Sequence, residues 1–228
     1  MRVANISGIP IIINNWWWLL PWYLFVVARD RAILILAVWL LAIVSHELGH
    51  ALAARRLGYD TQSITLYLIG GLARIFIPKG IAPKEMIKIA GAGPLVSILL
   101  AVVSAIGFYV LEGDLSNLSD LSDLSVLQFF CAFSFAFNLI VFVFNMLPVW
   151  NLDGAQIGLS ISQIIHSNDH LAEVRWRCFS MILTVPIVIG LWMIGFYFAA
   201  VGTLLMGAMN LRDILELRSR VANSAELR

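Results

Sequence analysis

The sequence predicts an all-α polytopic membrane protein of about six transmembrane helices, with a small β-hairpin near the cytoplasmic membrane face. Three observations predict it. Hydrophobic residues make up 61% of the 228 and charged residues only 13%, against about 45–50% and ~25% in ordinary soluble domains. Apolar runs recur along the whole chain, giving a mean hydropathy of +0.89. The cations divide unevenly between alternate connections, as the positive-inside rule requires of a multi-pass chain. These features exclude a disordered chain, a disulfide-rich secreted module and a typical soluble enzyme. A net charge of +1 leaves no electrostatic footprint for nucleic acid. Cys131 and Cys178 both lie in apolar stretches and read as small core residues.

A bilayer core of about 30 Å takes about 20 apolar residues in a helix. The first span is expected at 9–28, where the run Trp16-Trp17-Trp18 suggests an interfacial belt or a wall of packed rings. No small-residue cleavage site follows it, so it reads as a retained anchor. The second span is expected at 33–54, ahead of Arg55 and Arg56. The third, 87–111, opens on Ala90-Gly91-Ala92-Gly93-Pro94, small residues that let another backbone approach closely. The fourth, 126–147, is rich in Phe and stopped by Pro148. Cys178–Leu211 is 34 residues without a charge. As one helix it would be about 51 Å long, so two spans at 178–193 and 195–211, with a turn near Gly190–Gly195, fit better. The whole reads as one transmembrane domain.

With six spans, Arg2, the 55–88 connection, Arg175, Arg177 and the tail cations fall on one side. Only Arg29 and Arg31 fall on the other. Both termini are therefore expected in the cytoplasm, and the expected location is the plasma membrane of a prokaryote. Residues 113–127, GDLSNLSDLSDLSVL, carry no cation and read as an outer-side spacer. Thr61–Pro78 holds two β-prone runs flanking Gly70-Gly71, a hairpin signal. At membrane depth such a hairpin must pair internally or line a cavity.

Ionisable residues inside a span are costly and point to function. The second span contains His46, Glu47 and His50 in HELGH. H-E-x-x-H on a helix puts two imidazoles one turn apart on one face, at the spacing that chelates zinc, with a glutamate able to take a proton from metal-activated water. Zinc needs a third protein ligand and an open position. Asp153, in NMLPVWNLDG beyond Pro148, is the preferred candidate. Its rivals are His166, Asp169, His170 and Glu173, in a polar connection. Asn138 and Asn145 are seven residues apart and share a helix face. Either amide can donate to an oxyanion or a substrate backbone, or make an interhelical hydrogen bond.

With these motifs the chain resembles the site-2 protease family of intramembrane zinc metalloproteases. The matching residues are HELGH at 46–50, Gly70-Gly71, AGAGPLVS at 90–97, Asn145–Gly154 and the opening Gly8-Ile9-Pro10. The resemblance implies one zinc per chain held by His46, His50 and Asp153, with Glu47 as general base. It implies an oxyanion or substrate contact for Asn138. The hairpin at Gly70-Gly71 is expected to present substrate as a strand, with Asn145 also on the substrate side. The implied reaction is hydrolysis of peptide bonds in or near transmembrane segments of membrane-protein substrates. No connection between spans is long enough for a PDZ module, so a minimal six-span member is expected, with a regulatory membrane partner compatible with the family. Metal transport through the histidines and a di-glutamate protease chemistry are the competing readings. The first is tested at Glu47, and the Leu152-Asp153-Gly154 segment argues against the second.

Overall fold

The computed structural model describes residues 1–67, 70–78, 80–112, 124–166 and 170–226. Most of the Asp-Leu-Ser repeat lies outside the described residues, and so does Asp169. The elements in chain order are β1 (Arg2–Ile6), β2 (Ile9–Ile13), α1 (Leu19–Ala28), α2 (Ala32–Arg56), β3 (Thr61–Leu66), β4 (Gly71–Ile75), α3 (Pro83–Val110), α4 (Val126–Asn145), α5 (Asp153–Ile165), α6 (His170–Met193) and α7 (Tyr197–Glu226). Four helical stretches among the described residues are long and apolar enough to cross a membrane: 15–56, 83–110, 126–145 and 173–193.

Two compact units are present, residues 1–81 with 91–144, and residues 82–90 with 145–228. In the first unit a four-stranded sheet runs in the order β1-β2-β3-β4. The outer pairs are antiparallel and β2–β3 is parallel, with Ile11 opposite Ile64 and Ile13 opposite Leu66. Ser7 and Gly8 have φ of 51° and 78°. Positive φ at both central residues is what a tight two-residue hairpin demands. The Arg55 guanidinium donates to the Ser7 carbonyl at 2.5 Å, tying this turn to the end of α2.

Alternate residues of β2, Ile9, Ile11 and Ile13, turn inward and pack with Ile64, Leu66, Trp17, Trp39, Ile43 and Val141. The expected span 9–28 is therefore corrected. Its first five residues are a strand, and α1 is ten residues long, about 15 Å and half a bilayer core. The β-branched run was merged with the tryptophans because a short apolar run has no period that separates strand from helix. The expected hairpin at 61–78 is present as β3–β4, within a larger sheet.

Helix α2 ends in a Schellman arrangement. Gly58, with φ +88°, donates to the Arg55 carbonyl and Tyr59 to the Ala54 carbonyl, both at 3.0 Å. Helix α4 starts with a capping box: Ser125 N–H donates to Gln128 Oε1 and Gln128 N–H to Ser125 Oγ. Arg31 reaches α4 as well, 4.8 Å over the Phe129 ring and donating to the Leu124 carbonyl.

In the second unit Arg177 is the polar hub. It lies 3.5 Å from the Trp150 ring centroid and pairs with Glu173 at 2.9 Å and Asp213 at 3.1 Å. Its own carbonyl accepts from Asn210 Nδ2. The connection expected across 149–177 thus contains a helix, α5, and the start of α6. The turn expected near Gly190–Gly195 is present, with Gly195 at φ +83° between α6 and α7.

Candidate metal centre

Helix α2 is continuous through HELGH, so His46 and His50 fall one turn apart on its inner face, 3% and 8% exposed. Their Nε2 atoms approach to 3.2 Å and their rings lie edge to face, 4.8 Å between centroids. Two nitrogens bound tetrahedrally at 2.0–2.1 Å to one zinc would be about 3.3 Å apart. The pair therefore fits the ion.

His46 Nδ1 lies 2.9 Å from Ser97 Oγ on α3, and Ser97 is fully buried. With the Nδ1 proton donated to that hydroxyl, Nε2 keeps its lone pair for metal, and the ring orientation is fixed. Ser97 closes the run AGAGPLVS, and nothing in that run gives it a role. Its partner is 51 residues away, which no local spacing could signal.

The close approach of α2 and α3 depends on the small-residue run. A Cβ at Gly49 would lie 2.7 Å from the Ala92 carbonyl oxygen. A Cβ at Gly93 would collide with His50 Nε2 and lie 2.8 Å from His46 Nε2. Gly93 is thus the floor of the histidine pair.

Glu47 turns toward the sheet. Its Oε2 accepts the Ala73 N–H of β4 at 2.7 Å. A Cβ at Gly71 would lie 2.7 Å from Glu47 Cγ and 2.9 Å from Ile43 Cγ2, so the second glycine of the pair lets β4 pack close to α2. Gly70 has open space around it. Asn138 is buried on α4, and its Nδ2 donates to the Ser134 carbonyl at 2.8 Å and lies 3.3 Å from Ser134 Oγ. Its Oδ1 has no hydrogen-bond partner among the described residues. Ser134 in turn accepts from Ser104 of α3 at 2.9 Å.

In the second unit, Asn145 is the last residue of α4 and Asp153 the first of α5. The Leu152 N-cap is extended, and a Cβ at Gly154 would run into the Met146 carbonyl. Among the rival ligands, Glu173 is held by Arg177, and the exposed His166 ring contacts its own Ser162 carbonyl at 2.9 Å.

Comparison with known proteins bears on the family and the fold. The sequence profile of Peptidase family M50 matches residues 33–189. The chain belongs to that family, the site-2 proteases. A protein of Synechocystis sp. is 28% identical over 192 residues, which is 75% of this chain and 46% of the relative. A zinc metalloprotease of Methanocaldococcus jannaschii is 30% identical over 167 residues, 69% of this chain and 44% of the relative. The chain spans about a third to a half of the length of the curated relatives it matches first. The solved structure of a site-2 protease from Methanocaldococcus jannaschii superposes with a TM-score of 0.61 at 21% identity, covering 93% of this chain and 94% of that one. The fold is therefore that of the site-2 proteases. Family and apolar helices together make this an integral membrane protein.

Proposed function

We propose that the chain is an intramembrane zinc metalloprotease that hydrolyses peptide bonds within or near transmembrane segments of membrane-protein substrates. The observation that carries this reading is the convergence of two buried imidazole nitrogens at 3.2 Å with a glutamate between them in sequence. His46, His50 and Asp153 would hold one zinc ion. Asp153 is favoured by its position at the start of α5 and by the commitment of Glu173 to Arg177. When bound, zinc supplies Lewis acidity toward a peptide carbonyl and makes water a stronger acid.

The residues divide the remaining work. Glu47 takes a proton from the attacking water and passes it to the leaving amine. Ser97 positions His46. Asn138 donates to the developing oxyanion, exchanging its Nδ2 bond to Ser134 for one to the substrate. A helical substrate keeps its carbonyls in its own hydrogen bonds, so it must unwind before attack. The β3–β4 hairpin at Gly70-Gly71 receives the extended stretch, and Asn145 contacts it further along. The partners are a transmembrane substrate, the lipid bilayer and a regulatory membrane protein.

Purified protein should carry close to one zinc per chain and cleave a transmembrane peptide in a chelator-sensitive way. Asp153→Ala should lose most of the zinc by elemental analysis. Unchanged zinc in that variant would move the third ligand elsewhere.

Both termini face the cytoplasm in this reading, which keeps the shortened first helical stretch as a crossing: 13 of the 15 cations then fall on that side of a six-span chain. Cysteines introduced at Ser125 and Ser224 should then be labelled by impermeant reagents from opposite sides. Labelling from the same side would remove one crossing.

A further inference from the structure

The base, Glu47, accepts a hydrogen bond from the edge of the sheet. β4 is the terminal strand in the order β1-β2-β3-β4. Tyr67 N–H donates to the Gly70 carbonyl at 2.8 Å, which closes the hairpin as a hydrogen-bonded pair. Bonded and non-bonded pairs alternate along an antiparallel ladder. Leu66–Gly71 is then non-bonded, Thr65–Leu72 bonded and Ile64–Ala73 non-bonded, following the observed register. The Ala73 N–H consequently points away from β3, along the outer edge of the sheet. A strand added to β4 would place a backbone carbonyl there. Glu47 Oε2 occupies that position at 2.7 Å. The neighbouring side chains Leu72 and Phe76 are 49% and 65% exposed, so the edge carries apolar surface for a peptide.

We infer that the Ala73 N–H is a latch on the general base. It holds the Glu47 carboxylate until an extended substrate pairs with β4 and takes that N–H for its own carbonyl. Strand pairing and release of the base are then one event. A peptide that stays helical cannot offer the carbonyl and leaves Glu47 bound. Ala73 acts as a positioning residue through its backbone, and this inference rests on the protease reading above for the identity of the peptide.

The test is a double-mutant cycle on zinc-stripped full-length protein, reading the affinity for a dye-labelled decapeptide rich in valine and threonine. Glu47→Ala removes the competitor and should tighten binding about tenfold, the scale of one charge-assisted hydrogen bond. In an Ala73→Pro background, which lacks the N–H, Glu47→Ala should change affinity less than twofold. Proline is tolerated on edge strands where the N–H faces outward. If Ala73→Pro does not fold, a backbone ester at position 73 removes the same donor and gives the same cycle. An equal effect of Glu47→Ala in both backgrounds, or none in either, overturns the latch. Chelator-sensitive cleavage by zinc-loaded wild type is scored separately. Cleavage without coupling sinks the latch alone, and coupling without cleavage sinks the protease reading alone.

Discussion

Glu47→Gln is expected to keep its fold and its zinc and to lose cleavage of a transmembrane peptide by about 10²-fold or more, the contribution of a lost general base. Gln has the size of Glu and can still accept the Ala73 N–H through its side-chain oxygen, so the contact between α2 and β4 survives. Glu47 follows His46 by one residue and is turned about 100° from it around the helix, so it is not part of the facing imidazole pair. What disappears is the site that takes the proton. Zinc content, melting and cleavage measured on one preparation decide the matter. A folded, zinc-loaded variant that still cleaves near the wild-type rate removes the mechanism and favours metal transit. A variant that aggregates or sheds zinc makes Glu47 a structural residue.

The second large effect is expected at Gly93, where two principles disagree. Helix propensity favours Ala over Gly in an interior position by about 1 kcal/mol. The site forbids it. The added methyl would overlap His50 Nε2, sit 2.5 Å from His50 Cε1 and sit 2.8 Å from His46 Nε2. The neighbouring Ala92 carbonyl already lies against Gly49, so the two helices cannot part without losing that contact. The imidazoles must swing out instead. Gly93→Ala should weaken zinc binding by at least about 100-fold, the upper end of what losing an outer-shell partner costs, and should abolish cleavage. Gly91→Ala is the control, because a Cβ there meets nothing within 4 Å. It should keep zinc and activity and be neutral or slightly stabilising. Equal zinc content in Gly93→Ala and Gly91→Ala would show that Gly93 is not the floor of the site.

The parts that could be read from the sequence are those written contiguously. HELGH declares its helix, its spacing and its chemistry in five residues, and α2 carries it as expected. The runs around Gly70-Gly71 declared their hairpin because β-prone residues stand on both sides of a Gly-Gly turn signal. The N-terminal hairpin was hidden although Ser7-Gly8 is itself a turn signal. The isoleucines after it run without a break into the tryptophans, and hydropathy sums both. Helix α5 was hidden for a different reason. Its sequence DGAQIGLSISQII is amphipathic, but too short and polar to register as a span. Three parts of the site depend on residues brought together from afar: Ser97 on His46, Gly93 beneath both imidazoles, and Ala73 on Glu47. No periodicity encodes a partner 51 or 26 positions away. The sequence alone also left Glu173 beside Asp153 as a candidate, because the ion pair of Glu173 with Arg177 is set by the packing of α6 and not by any motif.

The parallel pairing of β2 with β3 fixes an order of events during synthesis. Ile11 pairs with Ile64, and everything in α1 and α2 lies between them. When Ile9–Ile13 leaves the ribosome its partner does not yet exist. At about 5–20 residues per second, it waits roughly 3–10 seconds with an apolar strand edge unsatisfied. Its antiparallel neighbour β1, made first and joined by a two-residue turn, covers one side during that interval. The other side closes only after the histidine-bearing helix has been made. The strand that contacts Glu47 is thus made after the helix it serves and before α3, so the base can meet its strand before Ser97 and Gly93 exist to orient the imidazoles.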